Sequence, residues 1–230
     1  MPEKEKPHYA GHRQRLRERF LKTGFAGFRD YEALELMLFY SLPRRDVKPI
    51  AKDLIKRFKS LRGVMDAPHD ELVTVQGISE AAATFLRMLK ETAGLYLLDK
   101  LKSEDAVISS TGALLDYCHT VMSGLRDEQF RVIYLNSRNR VIGDEVIQEG
   151  TVNQSVVYPR KVMERALRQG ATALIFVHNH PGGSSKPSRE DELITRELVD
   201  VARGLDIAVH DHLIVSSEGY YSFRESGKLK

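Results

Sequence analysis

Tryptophan is missing from the 230 residues, and cysteine occurs once, as Cys118. A lone cysteine excludes an intrachain disulfide framework and a thiolate cluster for metal. No apolar run approaches the roughly 18 residues that a membrane span requires. The opening stretch MPEKEKPHYAGHRQRLRERF lacks the apolar segment of a secretory signal. With neither feature present, a cytoplasmic location and no membrane partner are the default expectation. Internal repeats and low-complexity segments are also missing. An excess of one charge sign is absent overall, since 35 Lys/Arg against 32 Asp/Glu leave a net +3.

What remains is ordinary globular material. Hydrophobic residues make up 42% and charged residues 29%, enough for one large domain or two modest ones. The charge is unevenly spread. Residues 1–102 carry 20 Lys/Arg against 14 Asp/Glu, a balance of +6, and residues 103–230 carry 15 against 18, a balance of −3. The first part therefore either meets something anionic or carries a solvated basic helix face.

The first hundred residues read as short helices. DYEALELMLFY, 30–40, has a broad apolar helical face with Asp30 as its N-cap, and Pro43 ends it. VKPIAKDLIKRF places Ile50, Leu54, Ile55 and Phe58 on one side and Lys52, Lys56 and Arg57 on the other. After a turn near Asp66 and Pro68 come a short helix, a turn at Gly77 and a long helix rich in Ala and Leu. The polar segment 101–111 reads as a linker. Beyond it FRVIYLN, the turn SRNR and VIGDEVIQEG form a hairpin. YPRKVMERALRQG is a helix with Pro159 in its first turn and Gly170 past its last. ATALIFVHNH is a buried strand, SREDELITRELVDVARGL a second helix closed by Gly204, and DIAVHDHLIVS and GYYSFRE are two more strands. This alternation predicts an α/β or α+β layer domain over 103–230, preceded by a small all-α domain over 1–102.

The chemistry concentrates in VHNHPGGSSKPSRED. Side chains two apart on a strand share a face, so His178 and His180 project together where the strand meets its loop. Two imidazoles, one carboxylate and a water form a common catalytic zinc set. Asp191 can supply the carboxylate from the first turn of the next helix, whose N-terminus favours the ionised form a metal needs. Two other readings stand beside this. Paired histidines also occur as plain surface residues at strand ends, and Ser188 with Asp191 has the spacing of a capping box. His210, Asp211 and His212 form a rival constellation, with His210 and His212 expected on one strand face; one of them could orient a ligand by hydrogen bonding.

His178-Asn179-His180, seven residues, then Ser188-Arg189-Glu190-Asp191 is similar to the JAMM signature of the MPN/JAB metalloprotease superfamily. The fuller string HNHPGG…PSRED, preceded by YPRKVMERALRQGATALIFV, resembles the bacterial RadC family over essentially the whole chain. The resemblance implies an MPN/JAMM-like C-terminal domain with zinc held by His178, His180 and Asp191. It also implies that Ser188 bonds the activated water or the developing oxyanion. That use competes with helix capping unless the hydroxyl can switch. JAMM enzymes take a glutamate general base from an upstream segment. Glu128, immediately before the strand FRVIYLN, matches in order and context, and Glu145 in the next strand is the alternative.

LVTVQGISEAAATFLR resembles a helix-hairpin-helix, in which a glycine hairpin offers backbone N–H groups to a phosphate. Leu72, Val75, Gly77, Ile78 and Ala83 fit; Ser79 replaces the second glycine and departs from the pattern. Three functions follow. The first is a zinc-dependent hydrolase of a peptide or isopeptide bond with a protein or peptide substrate. The second is a DNA-associated, repair-type protein that binds DNA through its N-terminal domain and has a structural or vestigial metal. The third is a metal-dependent nuclease. A single His2Asp site fits amide hydrolysis better than the two-metal clamp of nucleases. Substrate and oligomeric state are left open.

Overall fold

A computed structural model describes residues 11–103, 111–150 and 157–229. The chain divides into two compact units, Met1–Lys90 and Glu91–Lys230.

The first unit is all helical: α1 (His12–Thr23), α2 (Asp30–Ser41), α3 (Lys48–Phe58), α4 (Leu61–Asp66), α5 (His69–Val73) and the first turns of α6 (Glu80–Lys102). Leu34, Leu38, Leu54, Val64, Leu72 and Leu86 are the fully buried centre of its core. Asp30 opens α2 but does not cap it. Glu32 reaches back to the Arg29 N–H at 3.0 Å, and the Asp30 carboxylate accepts from Leu61 N at 2.8 Å. The expected cap thus tethers the start of α4 instead. Gly77, at φ 93°, makes the turn between α5 and α6, and a Cβ there would stand 2.8 Å from Ile50 Cδ1. Ser79 needs no left-handed backbone. Its Oγ accepts from Ala82 N at 3.2 Å, so the residue that departs from the glycine pattern acts as the start of α6.

Helix α6 is continuous across the division, and Leu101 and Lys102 belong to its last turn. Of the expected linker at 101–111, residues 104–110 lie outside the described residues. Thr111 opens α7 (Thr111–Met122), a helix that the sequence reading did not assign. Its signal was there: Leu114, Cys118 and Met122 recur every fourth residue and are buried.

The second unit is built on a five-stranded sheet in the order β2-β1-β3-β4-β5. The strands are β1 (Glu128–Leu135), β2 (Val141–Gly150), β3 (Ala173–Asn179), β4 (Ala208–Ser216) and β5 (Gly219–Ser222). β1 and β2 are the expected antiparallel hairpin, β3 runs antiparallel to β1, and β4 is parallel to β3. Parallel neighbours need a crossover, which α9 (Arg189–Arg203) supplies; α8 (Pro159–Arg168) links β2 to β3. All seven β3 residues are buried because both faces are covered. Ile175 and Val177 pack with α7 on one face, while Leu174 and Phe176 pack with Met163 of α8 and Leu198 of α9 on the other. The fold is therefore a helical N-terminal region followed by a mixed sheet between helices, as expected. The period-two alternation of β3 carries on to His178, placing it on the α9 side.

Candidate metal centre

His178 and His180 leave the C-terminal end of β3 on the face from which α9 begins, and Asp191 occupies the first turn of α9. His178 Nε2 lies 2.9 Å from His180 Nε2 and 3.1 Å from Asp191 Oδ1, and His180 Nε2 lies 3.3 Å from Asp191 Oδ2. The loop makes this meeting possible. Gly183, at φ 97°, turns the chain so that Ser184 O accepts from His180 Nδ1 at 2.9 Å.

The hydrogen-bond network assigns the protons. The Asp191 backbone carbonyl can only accept, so the one hydroxyl proton of Thr195 goes to it, at 2.5 Å. Thr195 Oγ1 then accepts from His212 Nδ1 at 2.5 Å. His212 Nε2 in turn accepts from His178 Nδ1 at 2.9 Å. Burial, and next the charge of His178, push His212 well below the ordinary imidazole range, which keeps it the neutral relay this chain requires. Both nitrogens that face Asp191 are therefore Nε2, with their other ring nitrogens spent as donors.

Such a set is suited to a cation. Two imidazole nitrogens and a carboxylate crowd together, and only a proton or a metal ion between them relieves the repulsion of their lone pairs. Tetrahedral zinc with ligands about 2.0 Å away sets its ligand atoms roughly 3.3 Å apart. The spacings of 2.9, 3.1 and 3.3 Å come close to that edge. Burial alone would raise the Asp191 carboxyl, but hydrogen bonds from His178 and His180 and from Ser188 N hold it far below the usual carboxylate range. His180 is raised, first by its bond to Asp191 and against the effect of burial. The described residues contain one such group of His, Cys, Asp or Glu, and it is this one.

The triad opens on a cavity of about 600 Å³ whose lining includes Glu128, Ser188, Glu190, Ile194 and Glu197. Glu128 and Ser188 are thus brought to the same space as the triad. Glu145 is not among the lining residues; it pairs with Arg165 and accepts from Tyr134 OH at 3.1 Å. Ser188 Oγ accepts from Asp191 N at 3.1 Å while Ser188 N donates to Asp191 Oδ2 at 2.7 Å, the capping box. The expected competition between cap and donor dissolves here. Capping uses a lone pair of the hydroxyl and leaves its proton free to donate, so no switching is needed.

The rival constellation is split. A register shift between Leu174 and Ile175 in the β3–β4 pairing inserts His210 as an extra residue. His210 faces a separate cavity beside Leu114 and bonds Asn139 Oδ1 at 2.7 Å, whereas His212 is fully buried against His178. The two do not share a face, because a bulge breaks the alternation that the sequence pattern assumed. Thr195 escaped the sequence reading, although it follows Asp191 by four residues and so falls on the same helix face.

A mixed sheet between helices, with a His-His-Asp triad where one strand meets the following helix, defines the class of JAB-type domains. The sequence model of the RadC-like JAB domain matches residues 108–228, and that of the UPF0758 N-terminal region matches residues 9–84. A UPF0758 protein of Ruegeria pomeroyi is 46% identical over 218 residues, covering 95% of this chain and 97% of that protein. The chain belongs to the RadC-like JAB-domain family.

Proposed function

We propose that the chain is a zinc-dependent hydrolase that cleaves a peptide or isopeptide amide bond. The observation that carries this reading is the convergence of His178 Nε2, His180 Nε2 and Asp191 at a cavity also lined by Glu128 and Ser188. Zinc held by these three residues supplies an acidified water and a polarised carbonyl. Glu128 accepts the proton of the attacking water and returns it to the leaving nitrogen. Ser188 donates its free hydroxyl proton to the oxygen on which negative charge develops. His212 and the Ser184 carbonyl fix the tautomers of the two imidazoles throughout.

The charge of the cavity favours amides over phosphodiesters. Glu128, Glu190, Asp191 and Glu197 line it, and no lysine or arginine does among the described residues. Beside the zinc, a polyanionic strand would meet the carboxylates of Glu128, Glu190 and Glu197, with no lysine or arginine among the described lining residues to offset its further phosphates.

The test uses full-length protein purified without a histidine tag. Metal analysis is expected to find one zinc per chain, lost in His178→Ala and kept in Glu128→Gln. A pool of internally quenched peptides is expected to be cleaved by the zinc-loaded wild type, not by His178→Ala, and by Glu128→Gln only at a small but measurable residual rate. Zinc without cleavage, together with salt-sensitive binding of fluorescent duplex DNA, would instead favour the DNA-associated alternative.

A further inference from the structure

Of His178-Asn179-His180, the middle residue takes no part in the triad. Alternation along β3 turns its side chain away from the imidazoles, and Asn179 is nevertheless buried, at 4% exposure. Its carboxamide makes two bonds to the main chain where β1 begins. Oδ1 accepts from Gln129 N at 2.8 Å, and Nδ2 donates to Asp127 O at 3.1 Å. The residue between those two backbone groups is Glu128.

The position matters because the strand ladder stops short of it. β1 pairs with β3 from Leu135, opposite Ala173, to Phe130, opposite His178, and that is the last paired position. Glu128 still faces Gly150 of β2. On the β3 side the Asn179 side chain takes over where the backbone ladder ends. A carboxamide offers an acceptor and a donor in one plane, matching a neighbouring N–H and C=O.

We propose that Asn179 is a positioning residue for the general base: its carboxamide clamps residues 127–129 and so holds the Glu128 carboxylate at the cavity. The same strand end thereby presents two metal ligands on one face and registers the base with the other. This inference rests on the hydrolase reading above. A base displaced by about 1 Å can lose on the order of 100-fold in rate, so the clamp acts on the chemical step and leaves metal and substrate affinity alone.

Asn179→Leu removes both bonds, and Asn179→Asp keeps the acceptor for Gln129 N–H but loses the donor. In full-length zinc-loaded protein, both are expected to keep one zinc per chain and a KM within about twofold of wild type on the best-cleaved peptide of the pool. In Asn179→Leu, kcat is expected to fall about 10- to 100-fold. On a Glu128→Gln background Asn179→Leu is expected to cost less than about twofold more, since both lesions act through one group. Amide exchange at Gln129, followed by NMR, is expected to accelerate in Asn179→Leu. An active wild type with unchanged kcat in both variants overturns the clamp alone, as does an equal loss on the Glu128→Gln background. Loss of zinc in both variants also overturns it. A wild type that cleaves no peptide overturns the hydrolase reading, and this role with it.

Discussion

His178 Nδ1 and His212 Nε2 stand 2.9 Å apart, so a histidine of β4 steers a histidine of β3 toward Asp191. The pair is buried: His212 is fully enclosed and stacks on Phe223 with ring centroids 4.9 Å apart. His212 cannot reach the triad itself, and its effect passes through the tautomer of its neighbour. Replacing His212 by Leu is expected to weaken zinc binding about 10- to 100-fold while leaving saturation at one ion. Competition with a metal chelator reads this directly. An affinity equal to wild type would remove the relay from the account.

Ser188 combines two tasks that substitutions separate. Ser188→Ala loses the acceptor for Asp191 N–H and should cost about 1 kcal/mol of stability as a lost helix cap. If the hydroxyl also meets the developing oxyanion, kcat falls by about 10² to 10³. Ser188→Thr retains the hydroxyl and should recover most of both. A destabilised alanine variant of undiminished kcat would leave Ser188 as a cap only.

Cys118 is buried inside α7, and its thiol is pushed up to about 12, first by burial and then by the Asp144 charge. The native protein should therefore resist a thiol reagent at pH 8, with one thiol appearing on denaturation. The sign of the linkage is set by the neutral form. Ionisation is favoured in the unfolded chain alone, so this thiol lowers stability only as pH rises above its ordinary value of 9.0. Rapid labelling of folded protein at pH 8 would contradict the burial.

Arg131 and Asp144 form a buried ion pair at 2.5 Å between β1 and β2, with Tyr117 OH donating to the same carboxylate at 2.5 Å. Asp144→Ala strands the guanidinium with its side chain only 13% exposed. A loss of about 3–5 kcal/mol in chemical denaturation is expected, because the buried charge keeps only the neutral oxygens of Tyr117 and Gln129 and no anion. The double substitution Arg131→Met with Asp144→Leu should recover most of it. Equal losses in the single and double variants would show that shape, not charge, sets the cost.

Much of this protein is legible locally. The β1–β2 hairpin, α8 with Pro159 in its first turn and α9 behind Ser188 follow from alternation, from proline and from capping spacing, all of which act within a few residues. The meeting of His178, His180 and Asp191 was legible for the same reason: one strand end, one short loop and one helix start confine all three. Other features were not. Asp30 tethers α4 instead of capping α2 because Leu61 N, 31 positions away, competes for its carboxylate.

By itself, then, the sequence determined the periodicities, the starts of α8 and α9 and a His-His-Asp motif compact enough for chain connectivity to close. Tertiary structure alone decided which residues serve that motif. Glu128 reaches the cavity while Glu145 is taken by Arg165; His212 buttresses His178 while a bulge sends His210 to the opposite face; Asn179 grips a strand 50 residues earlier. These choices depend on strand order and register across the sheet. Spacing along the chain constrains a side chain's neighbours over one or two turns and leaves open which strand lies beside it.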